Sequence, residues 1–313
     1  MRDRLEFILF SFFGFVIRLM PLPLVQSFGR FLGSFAYLVF QERRTIAIDN
    51  LVHAFPGKGR KEIKKIALGA FRNYGISISE FLWFPKLTPQ RLRKFVRYLN
   101  VDVIGQAYEK GKGVILMSGH FGNWELFVLS TAHFSGYPLT AIVQNQRNRY
   151  VNEVINRYRC VWGNSVVPME LSVREVLRKL SEGQAVAMLA DQSAPKEGLF
   201  VSYFGRPAAT HRGPAIFSLR TGAPILMEFL IRKENGKYEA ILEEVRKDDL
   251  DGYNEENVAE LTRRHVALLE KYVRMYPDQW LWMHRRWKHA PNTSISSENK
   301  PTMKFEMVGD VAK

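Results

Sequence analysis

Between Ser118 and Phe127 the chain reads S-G-H-F-G-N-W-E-L-F. His120 and Glu125 stand five apart, and Gly119 and Gly122 flank the His–Phe pair. These residue types are compatible with a general base and its partner, with half of a metal site, or with an ordinary strand-to-helix turn. Metal is the poorest fit. Side chains five apart on one helix are separated by about 140° net, so they do not converge on one ion. The H-E-x-x-H spacing of a helical zinc site is absent. The single cysteine, Cys160, rules out a four-cysteine site and any disulfide within the chain. No metal is expected, and nothing marks Cys160 as a nucleophile. As a base pair, the chain turns at Gly119 and Gly122 and Glu125 reaches back under the imidazole. A carboxylate on one ring nitrogen fixes the tautomer and leaves the other nitrogen free to take a proton. Such catalysis is worth roughly 10²–10⁴-fold. The bland alternative is a histidine in a loop beside a surface glutamate. These residues alone leave the two readings open.

The elements around the stretch decide where it sits. Residues 113–118 form a short apolar run between glycines, read as a buried strand, so His120 lies in the loop at that strand's C-terminal end. Alpha/beta folds place their sites there. Asn123 has the chemistry of an N-cap for a helix over 124–134, which puts Glu125 in the first turn. Upstream, residues 60–84 follow helical spacing up to Pro85. Downstream, strands at 139–144, 184–190, 224–231 and 238–245 alternate with helices at 147–162, 172–182, 212–220 and 254–275. Gly183 ends the helix at 172–182 as a C-cap residue. This alternation predicts an α/β fold with a mostly parallel central sheet flanked by helices. Asp191 ends one buried strand on the same sheet edge as His120, a place for a substrate-binding or acid/base carboxylate. Thr210 and Gly213 precede the helix at 212–220, whose N-terminus is a candidate phosphate site. The tail over 291–313 is polar, serine-rich and expected to be disordered.

Composition sets the partners. The formal charge of +14 and the pI of about 9.8 call for an anionic surface or ligand. No zinc finger or RNA-binding signature accompanies the charge, so nucleic acid is not expected. No Gly-rich phosphate or dinucleotide loop is present, and no cofactor is expected. The N-terminus is dense in phenylalanine, yet the uncharged run from Phe7 to Ile17 is far short of the roughly 20 residues of a span. A signal peptide is disfavoured, because no small-x-small cleavage site precedes Pro21 and Pro23. Two short aromatic helices with basic flanks are expected to lie in a membrane interface or barely cross it. The chain thus divides into N-terminal membrane-associated helices (1–42), an α/β domain (43–290) and the tail.

Further ordered motifs accompany the His–Glu stretch: N-L-V-H-A-F-P at 50–56, F-R-N-Y-G at 71–75, and a run from Asn148 to Arg159 with the pattern N-x7-N-R-x-R. L-A-D-Q follows at 189–192, Y-F-G-R-P-A-A-T-H-R-G at 203–213, T-G-A-P at 221–224 and W-L-W-M-H-R-R-W-K at 280–288. With these motifs the chain resembles the late acyltransferases of lipid A biosynthesis, the lauroyl/myristoyl transferase family, over about residues 1–290. That family includes acyltransferases acting on phosphatidylinositol mannosides. The resemblance implies transfer of a fatty acyl chain from an acyl-carrier-protein thioester to a hydroxyl of a lipid A precursor, a Kdo2-lipid IVA-like glycolipid. It implies an inner-membrane enzyme whose catalytic domain faces the cytoplasm. An acidic carrier protein and an anionic glycolipid both suit the basic chain. The family's H-x4-D/E pair falls on His120 as base and Glu125 as its orienting carboxylate, with no covalent acyl-enzyme. Arg159 matches its most regular arginine and is expected to bind a phosphate or the oxyanion. Asn148, Arg157 and Thr210 are further substrate-binding candidates, with Asp191. The Trp280–Trp287 run is read as packing. One stretch departs from the family: V-Q-N-Q-R-N-R at 143–149 stands where Y-R-P-x-x-N-P is usual. The rival readings are another glycolipid or glycerolipid as acceptor, and an inactive, basic membrane-binding module.

Overall fold

The computed structural model describes residues 1–196 and 198–290, and the segment 291–313 lies outside the described residues. The chain opens with four helices: α1 (Arg2–Leu19), α2 (Leu22–Val39), α3 (Gln41–Ala54) and α4 (Arg60–Trp83). Helix α5 (Pro89–Phe95), strand β1 (Val96–Tyr98) and helix α6 (Asp102–Glu109) follow. The body then alternates β2 (Val114–Ser118), α7 (Trp124–Ser135), β3 (Leu139–Val143), α8 (Arg149–Arg159), β4 (Ser165–Pro168), α9 (Ser172–Ser181) and β5 (Ala185–Leu189). A hairpin, β6 (Leu199–Tyr203) and β7 (Arg206–Thr210), precedes α10 (Gly213–Thr221), β8 (Ile225–Arg232), β9 (Tyr238–Glu244) and α11 (Glu255–Met275).

Seven strands form one sheet in the order β1-β9-β8-β2-β5-β3-β4. Every neighbouring pair is parallel except β8 with β9. The expected α/β fold with a mostly parallel sheet is the observed one. Strands β2 and β5 are apolar almost throughout because both faces of a parallel sheet are covered. Alternate residues of β2 serve opposite layers. Ile115 and Met117 join α3, α9, α10 and α11 on one face, while Val114 and Leu116 join α1, α5, α6 and α7 on the other. Short β1 and β4 lie at the two edges and were not marked by any local pattern.

Helix α4 belongs to both layers. Its first half (Ile63 to Phe71) packs on one face and its end (Phe81 to Trp83) on the other. At about 1.5 Å per residue its 24 residues span about 36 Å, so it crosses the C-terminal edge of the sheet and walls in the loops there. Helix α2 crosses α4 backbone to backbone. A Cβ on Gly33 would stand 2.3 Å from the Phe71 carbonyl oxygen, and one on Gly75 would stand 2.3 Å from that of Gly29. The N-terminal helices are therefore fixed to the α/β body. Among the described residues, no helix is long and apolar enough to cross a membrane.

Candidate active site

Strand β2 ends at Ser118, whose hydroxyl donates to the Glu228 carbonyl 2.7 Å away on β8. The chain then turns sharply. Gly122 has φ +56, and a Cβ there would lie 1.7 Å from the Leu230 carbonyl oxygen, so only glycine fits. Its carbonyl accepts from Asn73 Nδ2 (2.9 Å) and Ser77 Oγ (2.8 Å) on α4, and its N–H donates to the Gln279 carbonyl (2.8 Å). Asn123 caps α7, its side-chain oxygen accepting from the Leu126 N–H, as its residue type predicts. The other end of the Asn123 amide donates to Glu80, 2.7 Å away and fully buried. Glu80 also accepts from Gln26, Arg232 and Tyr238. The turn is thus pinned on all sides before any substrate arrives.

The sheet register sets the pairing at the turn. Ser118 on β2 is the partner of Leu189 on β5. Two residues further on, His120 and Asp191 leave the sheet side by side. His120 Nδ1 lies 2.7 Å from Asp191 Oδ1, and the His120 backbone N–H donates to Asp191 Oδ2 at 2.7 Å. A carboxylate only accepts, so Nδ1 carries the hydrogen and Nε2 keeps its lone pair. Trp280 Nε1 donates a third hydrogen bond to Asp191, at 2.8 Å. Burial works to lower the imidazole pKa, but the charge and hydrogen bond of Asp191, with the charge of Glu125 added, raise it above the ordinary value. Burial likewise opposes ionisation of Asp191. The charge on His120 and the hydrogen bonds from His120 and Trp280 outweigh it and lower the carboxyl to about 2. Outside, Gln192 Nε2 is 3.3 Å from His120 Nε2. The imidazole side chain is 18% exposed against 3% for Asp191, so the pair is reached from the imidazole side.

Glu125 stands elsewhere than expected. Its carboxylate is clasped by Arg159 of α8, through Nη2 at 2.6 Å and Nε at 2.9 Å, with both side chains about 15% exposed. Among the described residues, the carboxylate bonded to the imidazole is Asp191's. The reason is the cap: Asn123 starts α7 so firmly that Glu125 points along the helix's flank toward α8 rather than back under the loop. Glu125 still bears on His120 through its charge.

The other candidates divide. Arg159 joins the cluster, while Arg157, two residues earlier, points to solvent. Asn148 caps α8 and its amide donates to the Asp3 carbonyl and to Glu6, which ties α8 to α1. Thr210 is fully buried, its hydroxyl accepting from Arg286 at 2.7 Å and donating to the Ala208 carbonyl at 2.9 Å. Both side chains are already engaged within the protein. The Trp280–Trp287 run packs as read, and it also closes the site. Trp280 grips Asp191, and the Leu281 N–H donates to the His120 carbonyl at 3.1 Å. Gln192 had a signal in its motif, whereas Glu80 had none beyond a charge on an apolar helix face. No cluster able to hold a metal occurs among the described residues.

The family model described as "Bacterial lipid A biosynthesis acyltransferase" matches residues 3–289. The chain is 27% identical over 280 residues to the lipid A biosynthesis palmitoleoyltransferase of Escherichia coli K12, covering 87% of each chain. It is 24% identical to the lauroyltransferase of the same strain, over 87% of this chain and 88% of that one. A phosphatidylinositol mannoside acyltransferase from Mycolicibacterium smegmatis is 22% identical over 79% of each.

Proposed function

The chain belongs to the bacterial lipid A biosynthesis acyltransferase family, and from that premise we propose that it carries a fatty acyl group from an acyl-carrier-protein thioester to a hydroxyl of a Kdo2-lipid IVA-like glycolipid. The observation that carries the mechanism is the His120–Asp191 pair at the C-terminal edge of β2 and β5, with Nδ1 held by the carboxylate and Nε2 left outside that bond. His120 Nε2 takes the proton from the acceptor hydroxyl. The hydroxyl oxygen attacks the thioester carbonyl, and a tetrahedral intermediate forms. The C–S bond then breaks, and the departing thiolate receives the proton back from the imidazolium. Asp191 holds the tautomer and stabilises the imidazolium while it exists. Arg159, braced by Glu125, balances negative charge on the intermediate or on a substrate phosphate. Glu125 acts here as the positioning residue of Arg159, and Arg157 is the exposed cation of the same helix.

The setting supports a membrane substrate. The outer faces of α1 and α2 expose Leu5, Ile8, Leu9, Phe12, Phe31 and Phe35. Soluble proteins rarely leave so much contiguous apolar surface open. These helices lie in the cytoplasmic face of the inner membrane, with the catalytic edge beside the bilayer and the basic surface toward the acidic carrier protein. A second acceptor, another glycolipid, is favoured by one observation: the V-Q-N-Q-R-N-R stretch at 143–149 leaves the sheet at the end of β3, on the catalytic edge, and departs from the usual pattern.

The test is acyl transfer by purified protein from acyl-carrier protein to a lipid A precursor and to a phosphatidylinositol mannoside, with His120→Ala beside wild type. Transfer to the first acceptor, lost in the variant, is expected. Transfer to the mannoside alone would move the assignment to the second acceptor. Unchanged transfer in His120→Ala would overturn the mechanism, and no transfer by wild type to either acceptor would leave the inactive membrane-binding module.

A further inference from the structure

A large cavity lies away from His120. It measures about 1060 Å³ and lies across α4, between α2, the first half of α4 and the turn joining β8 to β9. Six cationic side chains line it against three acidic ones. Three of the cations, Arg30, Lys65 and Arg72, are exposed and have no ion pair among the described residues. Lys58, Arg232 and Lys233 are each paired with a carboxylate. A second cavity of about 380 Å³ lies on the other side of the same turn, and Asn235 lines both. Its wall includes Leu22, Trp83, Leu87 and Phe95, with Arg91 and Lys94 beside them. Arg91 stacks over Trp83 at 5.6 Å.

We propose that these adjoining chambers form an accessory site for a phosphate-bearing membrane lipid, separate from the catalytic edge. The phosphate lies among Arg30, Lys65 and Arg72, and acyl chain lies along the apolar chamber. Charge favours an anion: six cations line the cavity against three carboxylates, and the excess remains after Asp278 bears on Lys65 through its charge. The apolar neighbour selects an amphiphile over a free phosphate. Position selects a membrane lipid: Arg30 sits on α2 next to Phe31, which is 63% exposed on the helix's outer face. This rests on the reading that α1 and α2 meet the bilayer. The site also has a route to the chemistry. Asn73 and Gln279 line the large cavity and hydrogen-bond the Gly122 backbone beside His120. A bound lipid therefore braces the wall that holds the catalytic turn.

The experiment is co-sedimentation of the full chain with phosphatidylcholine vesicles, with and without phosphatidylglycerol. Arg30→Gln/Lys65→Gln/Arg72→Gln is compared with a control of equal charge loss, Lys112→Gln/Lys179→Gln/Arg246→Gln, at the opposite end of the sheet. Wild type and control are expected to prefer the anionic vesicles, and the site variant to lose that preference by roughly 10- to 100-fold. Lys65→Gln alone, at an exposed position, is expected to lose about fivefold and guards against misfolding of the triple variant. Equal losses in the site and control variants would reduce the effect to diffuse charge and overturn the site. Binding of inorganic phosphate or pyrophosphate, read as a Tm rise in wild type but not in the site variant, with no lipid preference, would overturn the lipid as its ligand. If wild type bound no vesicles at all, the membrane reading itself would fall. Equal binding of wild type to both vesicle types would remove only the accessory site.

Discussion

Replacing Asp191 with Asn tests the proposed catalytic pair most directly, because the structure dictates how the new amide must sit. Asp191 Oδ2 accepts from two donors that cannot turn away, the His120 backbone N–H and Trp280 Nε1–H. The amide oxygen must stay at that position, since an NH₂ group there would face two donors. The amide nitrogen is then directed at His120 Nδ1, 2.7 Å from the atom it replaces. Nδ1 becomes an acceptor, the ring hydrogen moves to Nε2, and the base loses the lone pair that takes the proton. The expected loss in kcat/KM is roughly 10²–10⁴-fold, equivalent to about 3–5 kcal/mol of barrier. The pH profile must move as well. Wild-type activity is expected to rise with pH as His120, its pKa held up by Asp191, loses its proton. Without that charge, burial prevails and the remaining activity begins its rise at lower pH. The assay is acyl transfer against pH, with thermal unfolding to establish that the variant is folded. If Asp191→Asn kept near-wild-type activity with an unmoved acid limb while Glu125→Gln lost both, the carboxylate assignment would be wrong.

The Glu125–Arg159 clasp is partly buried, so Arg159→Met is expected to cost roughly 2–4 kcal/mol, somewhat below a fully buried pair, and Glu125→Gln/Arg159→Met to cost less than the single change. Urea unfolding of the three proteins checks this, and a double variant no better than Arg159→Met would refute it. Glu228 is fully buried, and desolvation raises its pKa to about 8 despite hydrogen bonds from Tyr98 and Thr131. Its folded value lies above its unfolded one, so this contribution is complete below the unfolded value and is lost as pH rises toward about 8, a change on the order of 5 kcal/mol. Glu228→Gln is expected to flatten that slope and be the more stable protein at about pH 9, as read by urea unfolding; an unchanged slope would exclude Glu228 as its source. Gly33→Ala drives a methyl into the Phe71 carbonyl and is expected to destabilise by roughly 1–3 kcal/mol, visible as a lower Tm. A variant as stable as wild type would mean that α2 is free to shift on α4.

Much of the frame could be read before folding. The apolar run at 113–118, the N-cap at Asn123 and the C-cap residue Gly183 each carry a local signal, because strands, caps and left-handed turns are set by a few neighbouring residues. The observed elements β2, α7 and α9 lie within a residue or two of those expectations. Other elements had no such signal. Strand β1 is three residues long and exists because β9, far along the chain, offers it a parallel edge. The hairpin of β6 and β7 was likewise hidden, its strands set by their pairing with each other rather than by a clear alternation.

The candidate site divides in the same way. Sequence by itself determined that His120 follows a buried strand, that Glu125 opens the next helix, and that Asp191 ends another strand on the same edge. It could not determine which carboxylate meets the imidazole, because that depends on which strands are neighbours. The sheet places β5 beside β2 in a register that aligns Ser118 with Leu189, so Asp191 emerges next to His120. The Asn123 cap commits Glu125 to the flank of α7, where Arg159 takes it. Strand order arises from burying both faces of the whole sheet at once. Only tertiary structure could settle the pairing, since no local spacing between residues 71 positions apart records it.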